Sequence, residues 1–136
     1  MTTATPPTVF PCLSYRDVAA AVDHLVTAFG FTPLQVDTGD DGTVEHAELN
    51  LGNGVVMLSP MPDEGAEPWQ EGRTCICVAV DDLDAHHARA VGAGAAIRTG
   101  LRDTDYGSRD YTATDPEGHV WVFGTYRPPP PALTTT

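Results

Sequence analysis

The chain has 136 residues, 41% hydrophobic and 19% charged, a composition that suits one folded domain and argues against disorder. Seven arginines, no lysine and 19 acidic residues give a formal charge of −12. This balance argues against nucleic acid and anionic membranes as partners, because both require basic patches. An acidic surface would attract cationic small molecules, although the same charge also serves solubility alone.

The first half of the chain has the pattern of one strand, one helix and three strands. Asp17 stands at an N-cap position, apolar residues follow at helical spacing, and Gly30 ends the helix. A hairpin signal at Gly52–Gly54 joins the last two strands. The predicted strands are Val9–Tyr15, Thr32–Asp37, Val44–Leu51 and Val55–Ser59.

The same order of elements recurs in the second half. Asp82 caps a helix that stops at Gly92–Gly94, and Leu101–Arg109 is predicted to be a polar loop. The predicted strands are Cys75–Val80, Ala95–Arg98, Tyr111–Thr114 and Val120–Tyr126. The repeat indicates two fused copies of one unit. The predicted organisation is a tail (1–8), a first module (9–60), a loop (61–73), a second module (74–127) and a Pro-rich tail (128–136), in one domain overall.

The chain has no apolar stretch near the ~18 residues of a membrane span. The N-terminal tail also lacks the basic start and apolar run of a signal peptide. Its three cysteines are therefore expected to be reduced thiols in a cytoplasmic protein. Cys75 and Cys77 share one face of a predicted strand. A zinc site would need two more ligands at suitable spacing. We therefore expect Cys75 and Cys77 to be small buried residues.

Several stretches of the chain, taken in their order and spacing, resemble the vicinal oxygen chelate superfamily of glyoxalase I, the bleomycin-resistance proteins and the extradiol dioxygenases. They are Ser14-Tyr-Arg-Asp17 with the helix ending Ala-Phe-Gly30, His46-Ala-Glu-Leu-Asn-Leu-Gly52, Val56-Met-Leu58, Val80-Asp-Asp-Leu-Asp84, Asp115-Pro-Glu-Gly-His119 and Trp121-Val-Phe-Gly-Thr-Tyr126. The resemblance covers nearly all of Thr8–Arg127 and is nearer to the glyoxalase-like branch than to glyoxalase I. It implies an α+β fold in which two βαβββ modules form a cupped mixed sheet, with helices on the convex side and a ligand cavity on the concave face. It also implies that Trp121 and Phe123 belong to the core.

In metalloenzymes of this family, the metal ligands come from the first and fourth strands of each module. Carried over by spacing, these positions fall on Phe10, Met57, Cys75 and Val122. Phe, Met and Val cannot hold a hard or borderline divalent cation, and one thiol cannot do so alone. We therefore expect neither a divalent metal nor another cofactor, and we expect these four residues to line the ligand cavity.

His46 and Glu48 lie two residues apart on a predicted strand and so point to the same side, with Asn50 next in line. The pair could act as an oriented general base, as ligands of a relocated metal, or as a structural hydrogen-bonded pair. The remaining histidines are expected at the surface (His24, His86 and His87) or in a local hydrogen bond (His119).

Aromatic residues lie in both long loops, which approach the cavity mouth in the family fold. Trp69 lies in the first loop, whereas Tyr106, Arg109 and Tyr111 cluster in or beside the second. Such rings can stack on a planar ligand, with Arg109 or Glu48 fixing its polar end.

Two functions remain open from the sequence. The first is a metal-free small-molecule binding protein of the bleomycin-resistance kind, which sequesters an aromatic or cationic compound. The second is a lyase or isomerase that uses His46 and Glu48 as a base or as ligands of a relocated metal. The family resemblance also implies a homodimer.

Overall fold

The computed structural model describes residue 7 and residues 10–66 and 74–127. Within these residues the elements are β1 (Cys12–Tyr15), α1 (Val18–Phe29), β2 (Thr32–Thr38), β3 (Val44–Leu51), β4 (Gly54–Pro60), β5 (Cys75–Ala79), α2 (Leu83–Gly92), β6 (Ala96–Asp103), β7 (Arg109–Thr114) and β8 (Val120–Gly124). The strands form two mixed sheets with the orders β1-β4-β3-β2 and β5-β8-β7-β6. The predicted α+β class and repeated βαβββ order are confirmed, with the strands in two separate sheets and no closed barrel.

Both helices begin and end where the sequence predicts. The carboxylate of Asp17 accepts a hydrogen bond from the N–H of Ala20 at 3.0 Å, and that of Asp82 accepts from Ala85 at 3.1 Å. Gly30 ends α1 with a φ of 85°, a left-handed conformation that favours glycine. Neither helix in the described part of the chain has the length and apolar character needed to cross a membrane.

The predicted boundaries hold for β3 and β4 in the first module, whereas β1 and the strands of the second module differ from their predictions. Strand β3 spans the predicted residues, and β4 differs from its prediction by one residue at each end. The prediction that Leu101–Arg109 forms a loop is wrong at both ends of that segment. Strand β6 runs on to Asp103 because Arg102 pairs with Asp110 across the sheet, and their side chains form an ion pair at 2.8 Å. Strand β1 begins only at Cys12, so Phe10 precedes it.

One core lies between the helices and one face of each sheet. Side chains alternate along a strand, so the buried residues of β3, β4, β7 and β8 all point to that side. They are Ala47, Leu49, Val56, Leu58, Tyr111, Ala113, Trp121 and Phe123. The ring of Phe29 in α1 lies 5.6 Å from that of Trp121 and 4.8 Å from that of Phe123, so the two modules share this core. The predicted core positions of Trp121 and Phe123 are confirmed, and we call the opposite face of each sheet its open face.

The modules are also joined by a buried carboxylate. Asp115, at the end of β7, accepts hydrogen bonds from the hydroxyl of Tyr15 at 2.6 Å and from the indole N–H of Trp121 at 3.1 Å. Its other oxygen accepts from the backbone N–H groups of Glu117 and His119. Burial, together with the adjacent Asp115, raises the pKa of Tyr15 well above its ordinary value. Asp115 therefore accepts hydrogen bonds from residues of both modules.

His119 joins the modules as well. Its Nε2 lies 2.9 Å from the carbonyl oxygen of Ser14 in β1. The expectation of a local hydrogen bond is wrong, because the turn that carries His119 is packed against the first module rather than being exposed to solvent.

Candidate binding site

The open face of the first sheet carries a histidine–glutamate pair. Ala47 and Leu49 are fully buried, whereas the His46 and Glu48 side chains on the opposite face are 29% and 34% exposed. Nε2 of His46 lies 3.0 Å from Oε2 of Glu48, a contact that orients the imidazole ring. The predicted common orientation of this pair is therefore present. Asn50 lies on the same face, but its amide donates to the carbonyl oxygen of Gly52 at 3.3 Å.

Met57 lies beside this pair on β4. It is paired with Glu48 on one side and with Cys12 on the other, so all three residues form one row across the open face. Phe10, placed at this site by sequence spacing, is outside β1 and 45% exposed. Met57 is paired with Cys12 of β1 and not with Phe10, which lies two positions before Cys12. Strand β1 is shorter than its apolar pattern predicts.

The open face of the second sheet carries thiols and valines. Cys75 pairs with Val120 and Cys77 with Val122, and both cysteines are exposed. The expectation that Cys75 and Cys77 are small buried residues is wrong, because this side of β5 faces away from the shared core. Cys75 and Val122 thus belong to the same face, as the ligand-cavity prediction requires.

The residues at the family's metal positions do not fit a hard divalent ion. The row on the first sheet offers a thioether, a thiol and a single carboxylate. The equivalent positions on the second sheet offer a thiol and a valine. Hard cations require several oxygen ligands, and zinc requires three or four nitrogen, sulfur or oxygen donors. Over residues 10–66 and 74–127, no group of three or more His, Cys, Asp or Glu side chains could hold a metal ion.

The aromatic loop cluster is not brought together at the open faces. Tyr111 is fully buried under α2, with its hydroxyl 2.6 Å from Nδ1 of His86, so its predicted place at the cavity mouth is wrong. Arg109 shares the helix side of β7 and pairs with Asp84 at 3.0 Å. Tyr106 is 61% exposed. Trp69 lies outside the described residues.

Two histidines expected at the surface lie instead between the modules. His86 Nε2 is 3.0 Å from the carbonyl oxygen of Phe29, and burial lowers the pKa of His86. His24 packs edge-on against Phe29 at 4.9 Å, and burial lowers its pKa too. Helical spacing alone could have placed both residues near the apolar face of their helices, but nothing in the sequence identifies the partner of either.

A small cleft of about 220 Å³ lies where β4 and β5 approach each other. Apolar residues line most of it, including Phe31, Val55 and Ile76, and Arg127 stands among the lining residues. Pockets for drug-sized ligands usually measure about 300–1,000 Å³. The cleft can therefore take only a small group.

A repeated βαβββ unit with two mixed sheets and open faces defines a class of proteins that includes both binding proteins and enzymes. The chain belongs to the Glyoxalase/Bleomycin resistance protein/Dioxygenase superfamily, whose family model matches residues 8–123. This confirms the resemblance found in the sequence motifs.

The chain is similar to proteins known from their sequences and to proteins whose structures have been solved. Uncharacterised proteins of Mycobacterium bovis and Mycobacterium tuberculosis are 35% identical over 125 residues, covering 87% of this chain and 82% and 74% of theirs. The crystal structure of TioX from Micromonospora sp. ML1 matches with a TM-score of 0.74 and 37% identity, over 87% of this chain and 98% of TioX. A superfamily member from Sphaerobacter thermophilus matches with a TM-score of 0.68 over 87% of this chain and 96% of that one, and its 19% identity shows the fold alone.

Proposed function

We propose that the protein binds a small aromatic or cationic molecule on its open faces, without a divalent metal, and sequesters it. The observation that carries this proposal is the row of Glu48, Met57 and Cys12 on the open face of the first sheet. Within this row, Met57 is one of the positions at which the family resemblance implies a metal ligand in the metalloenzymes. A carboxylate next to a thioether suits a planar cation, since the carboxylate attracts the charge and the methionine sulfur packs well against aromatic rings. The formal charge of −12 favours the same class of ligand.

A homodimer belongs to this proposal. His46, Glu48, Cys75 and Cys77 on the two open faces are exposed or half-buried in the single chain. The cleft of about 220 Å³ is too small for a drug-sized ligand. A second copy packed by two-fold symmetry would cover these faces and complete a larger cavity. Native mass spectrometry and sedimentation velocity should find a dimer at the concentrations at which ligand binds. A monomer that binds ligand with full affinity would contradict this part of the proposal.

The binding proposal is tested with proflavine, a planar aromatic cation, and with neutral and anionic aromatic compounds of similar size. We expect saturable binding of the cation, measured by its fluorescence. Glu48→Gln should weaken binding about fivefold, the effect of losing one half-exposed charge contact of about 1 kcal/mol.

The matched control is Glu45→Gln, which removes the same charge from the opposite side of β3, where the Glu45 side chain is exposed. Its affinity for proflavine should stay within about twofold of wild type, because screening weakens distant surface charges. Equal losses in both variants would indicate a general charge effect, and the absence of binding across the whole panel would overturn the proposal.

The absence of a metal requirement has its own test. When the protein is purified without chelator, its native mass spectrum should show proflavine bound to chains that carry no divalent ion. Adding a chelator should leave the affinity for proflavine unchanged. Loss of binding on chelation, with recovery on adding Mg²⁺, Mn²⁺ or Zn²⁺, would contradict this part of the proposal.

The 3.0 Å contact between His46 and Glu48 favours a second candidate, a lyase or isomerase in which His46 takes a proton from the substrate. Glu48 would hold the ring in position and stabilise the imidazolium that forms. His46→Ala should lower turnover about 100-fold or more, the usual contribution of a general base. Full turnover of an identified substrate by this variant would exclude the candidate.

A further inference from the structure

Strand β5 presents two exposed thiols side by side. The sulfur atoms of Cys75 and Cys77 are 3.9 Å apart, and β5 is an edge strand of its sheet. Cys12 holds the matching position in the first module, since Cys12 pairs with Met57 as Cys77 pairs with Val122. The residue two places before Cys12, which matches Cys75, is Phe10, so the first module has a single thiol at this position.

The sulfur–sulfur distance suits one bridging metal ion. A zinc–sulfur bond of about 2.3 Å and an S–Zn–S angle between about 109° and 120° separate the two sulfur atoms by about 3.8–4.0 Å, and a larger soft ion separates them slightly more. The observed 3.9 Å lies within that interval. An ion could therefore bind both thiolates without a change in the backbone of β5.

A disulfide between the same residues fits less well. Residues two apart on an extended strand have Cα atoms about 6.6 Å apart, whereas disulfides prefer about 5.5–6 Å. Cys75 and Cys77 are both paired with β8, so closing the bridge would distort that pairing. The strand thus favours a dithiol over an oxidised pair.

The surroundings of the pair define which ions it can take. Burial, Cys75 and Asp110 all raise the pKa of the Cys77 thiol, so binding must displace protons from sulfur. A divalent ion forms two metal–sulfur bonds as two S–H bonds break, and two protons pass to solvent. Hard ions such as Mg²⁺ and Ca²⁺ prefer oxygen, so the pair selects soft ions.

We propose that Cys75 and Cys77 form a chelating site for a soft, thiophilic metal ion, with solvent or a small exogenous ligand completing the coordination. The site needs only β5, so it goes beyond the proposed binding of an aromatic cation and does not depend on it. Cys75 is one of the metal positions that the family resemblance implies, but the second ligand proposed here, Cys77, comes from the same strand rather than from the fourth strand of the module.

The test is a titration of the full-length protein with Cd²⁺, in a reductant that contains no thiol, followed by the ultraviolet thiolate-to-metal charge-transfer band. Wild type should bind one ion per chain and release two protons per ion, and its affinity should rise with pH. Cys75→Ser and Cys77→Ser should each weaken binding by about 100-fold or more, because the second sulfur acts at a high effective concentration. Cys12→Ser is the matched control and should bind as wild type does.

Three outcomes would overturn the site: no Cd²⁺ binding at pH 8, unchanged affinity in Cys75→Ser or Cys77→Ser, or loss of affinity in Cys12→Ser. Glu48→Gln also separates this site from the proposed function, because Glu48 belongs to the first sheet and the two thiols belong to β5 of the second. It should weaken binding of the aromatic cation and bind Cd²⁺ as wild type does, so each proposal can fail without the other.

Discussion

The two modules have the same backbone plan but different side chains at matching positions. In each, a parallel pair of strands places a cysteine beside a residue of the last strand, Met57 in the first module and Val122 in the second. The open face of the first sheet adds a carboxylate and an imidazole, whereas that of the second adds a further thiol, valines and the carboxylate of Asp110, which forms an ion pair with Arg102. The fold is thus repeated while its surface chemistry is not, so the first module is suited to cationic groups and the second, whose carboxylate is already paired, to soft ones.

The helices differ in the same way. Five residues of α1 are buried, from Val18 to Phe29, whereas α2 buries Leu83 and Ala90. Since α1 packs against aromatic residues of the second sheet, it contributes to the stability of both halves. The modules have the same topology, but the helix of the first module buries more residues in the common core than the helix of the second.

The largest expected effect comes from removing the buried carboxylate of Asp115, which links the two modules by hydrogen bonds. Asp115→Ala leaves the donors of Tyr15, Trp121 and two backbone N–H groups without their acceptor. We expect a loss of about 3 kcal/mol or more in the free energy of unfolding, measured with urea. Asp40→Ala, in the exposed β2–β3 turn, should change it by less than about 0.5 kcal/mol. Two separate unfolding transitions in the wild type would show that the modules are independent.

A smaller effect concerns the histidines between the modules. Burial lowers the pKa of His86 in the folded state, so the unfolded chain takes up the proton first as the pH falls. This contribution to stability is present above a pH of about 6.5, the unfolded pKa, and is lost as the pH falls through the lower, folded pKa. The free energy of unfolding should therefore decline less steeply between pH 7 and pH 5 in His86→Gln than in wild type.

The neighbouring His87→Gln variant removes an imidazole from the same helix and serves as the control. Its pH profile should follow that of wild type. Parallel profiles for His86→Gln and wild type would mean that burial does not lower the pKa of His86 in the folded protein.

The smallest effect concerns Arg109, which the sequence places among the ligand-binding residues and the structure places on the helix side of β7. Its contacts are surface ion pairs with Asp84 at 3.0 Å and Asp103 at 3.2 Å. Arg109→Ala should cost less than about 1 kcal/mol of stability, because exposed pairs contribute little. It should also bind proflavine within twofold of wild type. If Arg109→Ala bound proflavine tenfold more weakly than wild type, Arg109 would belong to the binding site.

The sequence predicts elements well where the signal is local. The caps at Asp17, Gly30 and Asp82 depend on short-range hydrogen bonds and a left-handed residue, and the alternation along β3 separates its two faces. These features depend on neighbouring residues, so they can be recognised without knowing the rest of the fold.

Predictions fail where a residue takes its role from a distant partner. His119 contacts Ser14, 105 positions earlier, and His86 contacts Phe29, 57 positions earlier. Polar residues at the end of β6 are held in the strand by Asp110 of β7, which no local pattern indicates. The exposure of Cys75 and Cys77 likewise depends on which side of β5 meets the shared core.

Both ends of α1 are held by the second module. The carboxylate of Glu117 accepts from the N–H groups of Arg16 and Asp17 just before the helix, and the guanidinium of Arg89 donates to the carbonyl oxygens of Val26 and Thr27 in its last turn. A gene fragment encoding only the first module would therefore produce a helix that has lost these partners at both ends. Only association with a chain that carries the second module would restore these contacts, so the first module reaches its native helix only in company with the second.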